Sequence, residues 1–347
     1  MLAEKIKNIQ ALLRTQHIDT LFIGNMDHQT HDDLLYYLLQ THLELGIMTI
    51  PQKGIPTLYA IPFEQEELQR MYTDIRVLPL QERISTLIKK LPKKRIGYRP
   101  SSLPSMYKKS GMIALKDEES IMAKKLPKER QLLKKAAQIT DIIFADVVKQ
   151  WASFQTEQDV ATYIILKTIE YGAEPSFSPI VASGTRAANP HHTPEAKKLV
   201  RGFCVIDMGV RYRGYCSDMT RTIYIGAPTK KESEVYNHLR KVQQKAIASC
   251  TIQTTISDIA TQCRTDLVEK LNAYFVHSLG HGLGTQVHEW PRISTNVQAR
   301  LEEHMYITIE PGIYIPGKLG IRIEDDVLIT KKGPLVYTTT SKELILV

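Results

Sequence analysis

Two hydrophobic periods alternate along the first part of the chain. Ile6, Ile9, Leu12 and Leu13 recur at helical spacing, which predicts an amphipathic helix over residues 3–16. TLFIG at 20–24 is a short apolar run of strand type, and LGIMTIP and PTLYAIP predict strands around the turn PQKGIP. The helical period returns in EQEELQRMY and QERISTLIKK, the strand period in DIRVLPL and RIGY. Such alternation predicts an α/β domain, placed at residues 1–125. It contains no glycine-rich phosphate loop, so no chemistry of its own is assigned to it.

Pro127 opens a second unit. Proline is tolerated in the first turn of a helix, and Leu132, Leu133, Ala136, Ile139, Ile143 and Val147 form the apolar stripe of one reaching to about Trp151. A further helix follows Thr156, whose hydroxyl can cap while Asp159 supports the N-terminus. Two more helices, at about 231–249 and 257–270, lie between strand-rich stretches, so residues 126–347 are expected to form an α+β domain.

The length of 347 residues suits two domains, and 43% hydrophobic with 24% charged residues is an ordinary globular mix. No apolar run approaches the roughly 18 residues that a membrane span needs, so no membrane partner is expected. Charges run through the first residues, where a signal peptide would have an apolar core, and a cytoplasmic location is expected. The net charge of +8 raises the question of nucleic acid. Its basic residues concentrate between about 89 and 135, in KKLPKKR, YKKS, AKKLPKER and LLKK, with few aromatics for base stacking. They read as a solvated linker and helix face, and no nucleic-acid partner is expected. Cys204, Cys216, Cys250 and Cys263 show no CxxC spacing and read as small, reduced core residues.

The candidate chemistry lies in two hairpins. In FCVIDMGVRYRGYCSDMTRTIYIG, two alternating runs flank Tyr212-Arg213-Gly214, and Asp207 and Asp218 are symmetric about the point between 212 and 213. The two acids are therefore expected to face each other directly across the hairpin. In ITIEPGIYIPGKLGIRIEDDV, Glu310 and Glu324 are likewise symmetric about Gly317. Facing like charges destabilise a strand pair. Two such pairs in apolar strands call for a compensating cation.

Between the hairpins lies FVHSLGHGLGTQVHEWP, with His277, His281 and His288. Its glycines at 280, 282 and 284 argue for backbone that closely approaches a site. The HE dipeptide at 288–289 is not a zincin motif, because Arg292 stands where HExxH needs histidine. No G-x-S-x-G nucleophile elbow is present either. Carboxylates with one imidazole form an oxygen-rich set that suits Mn²⁺ or a similar divalent ion. Four carboxylates exceed what one ion needs, which favours two ions sharing them.

At these motifs the chain resembles the proline-specific pita-bread metallopeptidases, the Xaa-Pro aminopeptidases and Xaa-Pro dipeptidases. DMGVRYRGYCSDMTRT, HSLGHGLGTQVHEWP, TIEPGIY and IRIEDDV are the most specific segments. The resemblance implies an α+β pita-bread (creatinase/aminopeptidase-like) catalytic domain preceded by a smaller α/β creatinase-like N-terminal domain. It implies two divalent metal ions, Mn²⁺ first with Co²⁺ or Zn²⁺ as alternatives, held by Asp207, Asp218, His281, Glu310 and Glu324. Asp218 and Glu324 would bridge both ions, Asp207 would hold one, and His281 and Glu310 would complete the other.

It also implies roles outside the ligand set. His191, in PHH at 190–192, would lie near the proline side of the substrate, with the choice between His191 and His192 open. His277 would serve proline recognition, His288 would hydrogen-bond where charge develops, and Arg322 would pair with carboxylates of the site. Glu310 would accept and return the proton. The implied substrates are peptides with proline in the second position, and the implied assembly is a homodimer. A methionine aminopeptidase-like activity is opposed by the N-terminal domain, PHH and His277. A metal-free creatinase-like hydrolase and a non-catalytic binding module are opposed by the complete ligand set.

Overall fold

The computed structural model describes residues 1–27, 31–91 and 95–347, and the chain divides into two compact units, Met1–Met122 and Ala123–Val347. Pro92, Lys93 and Lys94 of the basic run KKLPKKR lie outside the described residues.

In the first unit, β1 (Thr20–Asn25), β2 (Gly46–Pro51), β3 (Thr57–Ala60), β4 (Arg76–Pro79), β5 (Ile96–Tyr98) and β6 (Ile113–Ala114) form one mixed sheet ordered β4-β3-β2-β1-β5-β6. Helix α1 (Leu2–Thr15) buries Ile6, Ile9 and Leu13, the stripe its period predicts. The later helices are α2 (Asp33–Leu39), α3 (Gln65–Met71) and α4 (Ile84–Lys90). Helix α2 was not expected from its short apolar run. Asp32 starts it by accepting from the amides of Leu34 and Leu35, satisfying donors that a helix N-terminus leaves unpaired.

After the short α5 (Ser120–Ala123), the second unit begins its long helix α6 (Pro127–Lys149) with proline in the first turn. Thr156 and Asp159 form a reciprocal capping box on α7 (Glu157–Glu170). Strands β7 (Glu174–Pro175), β8 (Ile180–Ser183), β9 (Gly202–Met208), β10 (Val210–Tyr212), β11 (Tyr215–Cys216) and β12 (Met219–Ile225) make two three-stranded sheets, β11-β10-β7 and β12-β9-β8. Helices α8 (Lys230–Ala248), α9 (Ile256–Asp266) and α10 (Val268–Asn272) follow. Strands β13 (Gly280–Gly282), β14 (Glu289–Ile293), β15 (Tyr306–Ile309), β16 (Gly312–Ile315), β17 (Leu319–Arg322), β18 (Asp325–Thr330) and β19 (Gly333–Val336) complete the unit. They pair as β14-β13-β15-β18-β19 and β16-β17.

Each half buries its sheet under its own helices. Ile139, Ile143, Val160 and Ile164 of α6 and α7 pack with Cys204, Ile206 and Ile223. Tyr236, Leu239 and Ile259 of α8 and α9 pack with Ile307, Ile309 and Val327. Strand side chains alternate between faces. Residues one step from these apolar positions, including Asp207, Thr308 and Asp326, therefore point away from the helices. That alternation delivers polar side chains to the opposite face. All four cysteines are buried and free, with burial pushing their thiols up. No helix among the described residues is long and apolar enough to cross a membrane.

Candidate metal centre

The first hairpin turns one position later than the sequence suggests. Tyr212 pairs with Tyr215, so the turn is Arg213-Gly214, with both residues at positive φ (48° and 82°). Asp207 consequently pairs with Thr220, and Asp218 stands two residues along from that partner. The expected direct opposition of Asp207 and Asp218 is corrected to a diagonal one. A shift of two residues preserves the face, so both acids still point to one side.

The second hairpin follows the expected register. Ile315 pairs with Leu319 about Gly317, which has a φ of 67°, and the ladder runs back to Gly312 and Arg322. Beyond it, Ile309 pairs with Asp325. Glu310 and Glu324 occupy the step between these two ladders.

The histidine segment reaches the acids because its glycines let strands close in. A Cβ on Gly280 would lie 2.0 Å from the carbonyl oxygen of Thr308, and one on Gly282 would lie 2.3 Å from that of Trp290. Between them, His281 directs Nδ1 to the Gly282 carbonyl at 3.0 Å. Nδ1 is therefore the N–H, and Nε2 keeps its lone pair. That lone pair faces Asp218 Oδ2 at 3.6 Å and Glu310 Oε1 at 3.5 Å. Ligand atoms of Asp218, His281 and Glu324 all lie within 4.8 Å of one another. Glu310 borders this group through His281.

Asp207 sits beside Arg322, whose Nη2 donates to its Oδ2 at 2.5 Å, while Oδ1 is buried without a partner. Arg322 Nε donates to the Thr220 hydroxyl at 3.0 Å, and that hydroxyl donates to Glu324 Oε2 at 2.6 Å. Arg322 Nη1 donates to Tyr314 Oη at 2.7 Å, and Tyr314 lies 3.0 Å from His277 Nε2. His277 Nδ1 donates to the Ser278 carbonyl at 2.8 Å, so Nε2 accepts from the Tyr314 hydroxyl. Gly312 makes room for this arrangement, since a Cβ there would lie 2.4 Å from Tyr314 Oη.

Burial pushes the carboxyls of Asp218 and Glu324 well above their usual range, and repulsion from neighbouring acids adds to it. Burial likewise raises Glu310 to about 8, against the pull of Arg322. His277 and His281 are each pushed down to about 4, first by burial. A bound cation would take the neutral imidazole as it stands and displace protons from the crowded carboxyls, relieving their repulsion.

His288 is exposed, and its ring stands edge-on to that of His281 with centroids 4.5 Å apart. His191 is exposed, whereas His192 is buried with Nε2 2.8 Å from Glu157 Oε2. Glu157 also accepts from the Ser183 amide and hydroxyl and from Arg186. Arg322 Nη1 reaches the carbonyl of Pro190 at 3.3 Å, tying this segment to the acid cluster. Thr220, Thr308, Tyr314, Glu157, Lys125 and Glu289 were not singled out in the sequence. Their partners are distant in the chain; for Tyr314, alternation with Arg322 on the β16–β17 hairpin was the available signal.

The two hairpins are tied together beneath the acids. Arg221, 1% exposed, donates to the carbonyls of Thr220 and Glu324 and to Asp325 Oδ1 at 2.6 Å. Lys342 also reaches Asp325 at 2.6 Å. Arg221→Met is expected to lower the unfolding free energy by about 3 kcal/mol, the low end for breaking a buried pair, because Lys342 stays in place. Urea unfolding measures this. An unchanged midpoint would mean that Arg221 does not hold the hairpins together.

The model of metallopeptidase family M24 matches residues 131–331, more than half of the chain. The chain is 42% identical over 218 residues to an Xaa-Pro dipeptidase of Pyrococcus horikoshii, covering 62% of this chain and 62% of that relative. The chain thus spans less than two thirds of that relative's length. Among solved structures, the Xaa-Pro dipeptidase from Bacillus anthracis superposes with a TM-score of 0.90 and 29% identity, covering 100% of both chains. The X-Pro aminopeptidase from Thermotoga maritima does so with a TM-score of 0.86 and 29% identity, covering 97% of this chain and 100% of that one.

Proposed function

This chain belongs to metallopeptidase family M24 and has its pita-bread fold, and from that premise we propose that it is a metallo-exopeptidase hydrolysing the bond before proline. The observation that carries the reading is the buried cluster of acids around His281 Nε2, inside the segment that matches the family. The donors fit divalent cations. An imidazole lone pair faces carboxylates, burial and mutual repulsion disfavour the acids' charged forms, and Asp207 Oδ1 lacks a partner. Asp207, Asp218, His281, Glu310 and Glu324 would hold two ions, with Mn²⁺ favoured by the oxygen-rich set. Bound there, the ions would lower the pKa of water and act as Lewis acids on the scissile carbonyl.

The chain's own groups supply the rest. Glu310 takes the proton of the attacking water and returns it to the departing proline nitrogen. An N–H of His288 donates to the carbonyl oxygen as negative charge develops there. Arg322 orients Asp207 through a hydrogen bond to Oδ2, and also orders Tyr314 and His277. His191 and His277 border the substrate's proline. Proline has a fixed φ and no amide hydrogen, so its recognition relies on shape rather than on a backbone hydrogen bond.

The test loads the metal-free chain with Mn²⁺ and compares Xaa-Pro, Xaa-Pro-Xaa and Xaa-Ala peptides. Hydrolysis of the proline peptides alone, abolished by chelation, is the expected result. Cleavage of Xaa-Pro but not Xaa-Pro-Xaa assigns dipeptidase activity, and the converse assigns aminopeptidase activity. No turnover of either with metal bound overturns the reading.

A further inference from the structure

We propose that Glu289, held by Lys125, is a positioning residue that fixes the backbone from which His288 acts; this rests on the role given to His288 above. The two histidines of the segment differ in how they are held. The His281 ring is anchored through Nδ1 to the Gly282 carbonyl. The His288 ring is exposed, makes no hydrogen bond to a described residue and stands edge-on to His281. Its aim therefore depends on the backbone beneath it.

That backbone is closed by one carboxylate. Glu289 Oε1 accepts from the Thr285 amide at 2.7 Å, the Thr285 hydroxyl at 3.1 Å and the Gln286 amide at 3.1 Å. Its Oε2 takes Lys125 Nζ at 2.5 Å, with side chains 1% and 2% exposed. The turn from 285 to 289, with His288 at its end, is thus cinched on a single group. The outer side is fixed as well. Arg211 donates to the Thr285 carbonyl at 2.7 Å, and the Cys216 amide donates to that of Gly284 at 2.7 Å.

Gly284 belongs to the same device. A Cβ there would lie 2.4 Å from Glu289 Oε2 and 2.5 Å from Lys125 Nζ, so only glycine leaves space for the pair. Glu289 also pairs with Gly282 across β13 and β14. His281 and His288 therefore each adjoin one member of a single strand pair. A buried ion pair contributes little net stability compared with apolar packing. A carboxylate gripping several donors instead imposes one backbone geometry, and a misplacement of about 1 Å can cost about 10²-fold in rate.

A double-mutant cycle separates positioning from general loosening. At saturating Mn²⁺, with metal content measured, Glu289→Gln is expected to lower kcat for an Xaa-Pro peptide by about 10²-fold. In a His288→Ala background the same substitution should change kcat by less than about twofold, because the group it positions is gone. Histidine-labelled NMR of the metal-free chain gives a reading independent of turnover. The His288 Cε1–Hε1 signal should shift or broaden in Glu289→Gln while that of His304 stays in place. If Glu289→Gln does not fold, Lys125→Met/Glu289→Gln removes both charges together and carries the same cycle. Equal kcat losses in both backgrounds, or an unmoved His288 signal, overturn the positioning role alone. A His288→Ala variant with wild-type kcat instead overturns the reading of His288, and the proposal with it.

Discussion

Glu310→Gln is expected to lower kcat for Xaa-Pro hydrolysis by about 10²–10⁴-fold while the chain stays folded. The amide keeps the size and shape of the side chain but cannot accept the proton of an attacking water. The Glu310 carboxyl borders His281 Nε2 within the acid cluster, and in the metal-free chain burial drives it up to about 8. Folding should not suffer, because Glu310 is among the groups that repel the charged form of Glu324. Thermal unfolding of the metal-free variant should therefore occur at or above the wild-type midpoint. The assay is run at saturating Mn²⁺ with bound metal measured, so that weaker ligation is not mistaken for lost proton transfer. A kcat within tenfold of wild type, at equal metal content, would sink the assigned role.

The site was legible in the sequence where strand alternation and turn symmetry define it locally. Gly317 sits at positive φ in the middle of a three-residue turn, so counting outward from it gives the true register and places Glu310 beside Glu324. The first hairpin defeated the same count. Its two-residue turn needs positive φ at both positions, and Arg213 gives none of the asparagine or aspartate signal that normally marks such a turn. The error was two residues across the ladder, an even number, so the predicted face survived although the predicted opposition did not.

Side-chain networks spanning long separations left no comparable trace. Lys125 and Glu289 are 164 residues apart, and Glu157 and His192 are 35 apart. No local period links either pair. Glu289 stood in plain view within the HE dipeptide, yet its partner lies in the segment read only as a basic linker. The DD dipeptide after Glu324 was equally opaque. Asp325 turns to Arg221 and Lys342 on one face, while Asp326 accepts from the Asp218 amide on the other. Alternation would have separated the two, but the identity of each partner required the fold.

His281→Ala and His288→Ala should fail in different ways, although the two rings are in edge contact. The His281 Nε2 lone pair faces Asp218 and Glu310, and its Nδ1 is committed to a backbone carbonyl. Alanine there removes a donor from the cluster, so bound metal and kcat should fall together, with partial recovery at high Mn²⁺. His288 is exposed and stands edge-on to the His281 ring, and the role proposed for it is toward the substrate. Losing it should leave metal content near wild type and lower kcat by about 10²–10³-fold, as removal of one preorganised donor does. His277→Ala should show a smaller loss, felt with proline in the second position, because its Nε2 is engaged with Tyr314 and its Nδ1 with the Ser278 carbonyl, leaving no free lone pair for a cation. Metal analysis of the three purified variants beside their kcat values checks all of this at once. If His288→Ala lost its metal as readily as His281→Ala, the division between a histidine that holds the cation and one that serves the substrate would be wrong.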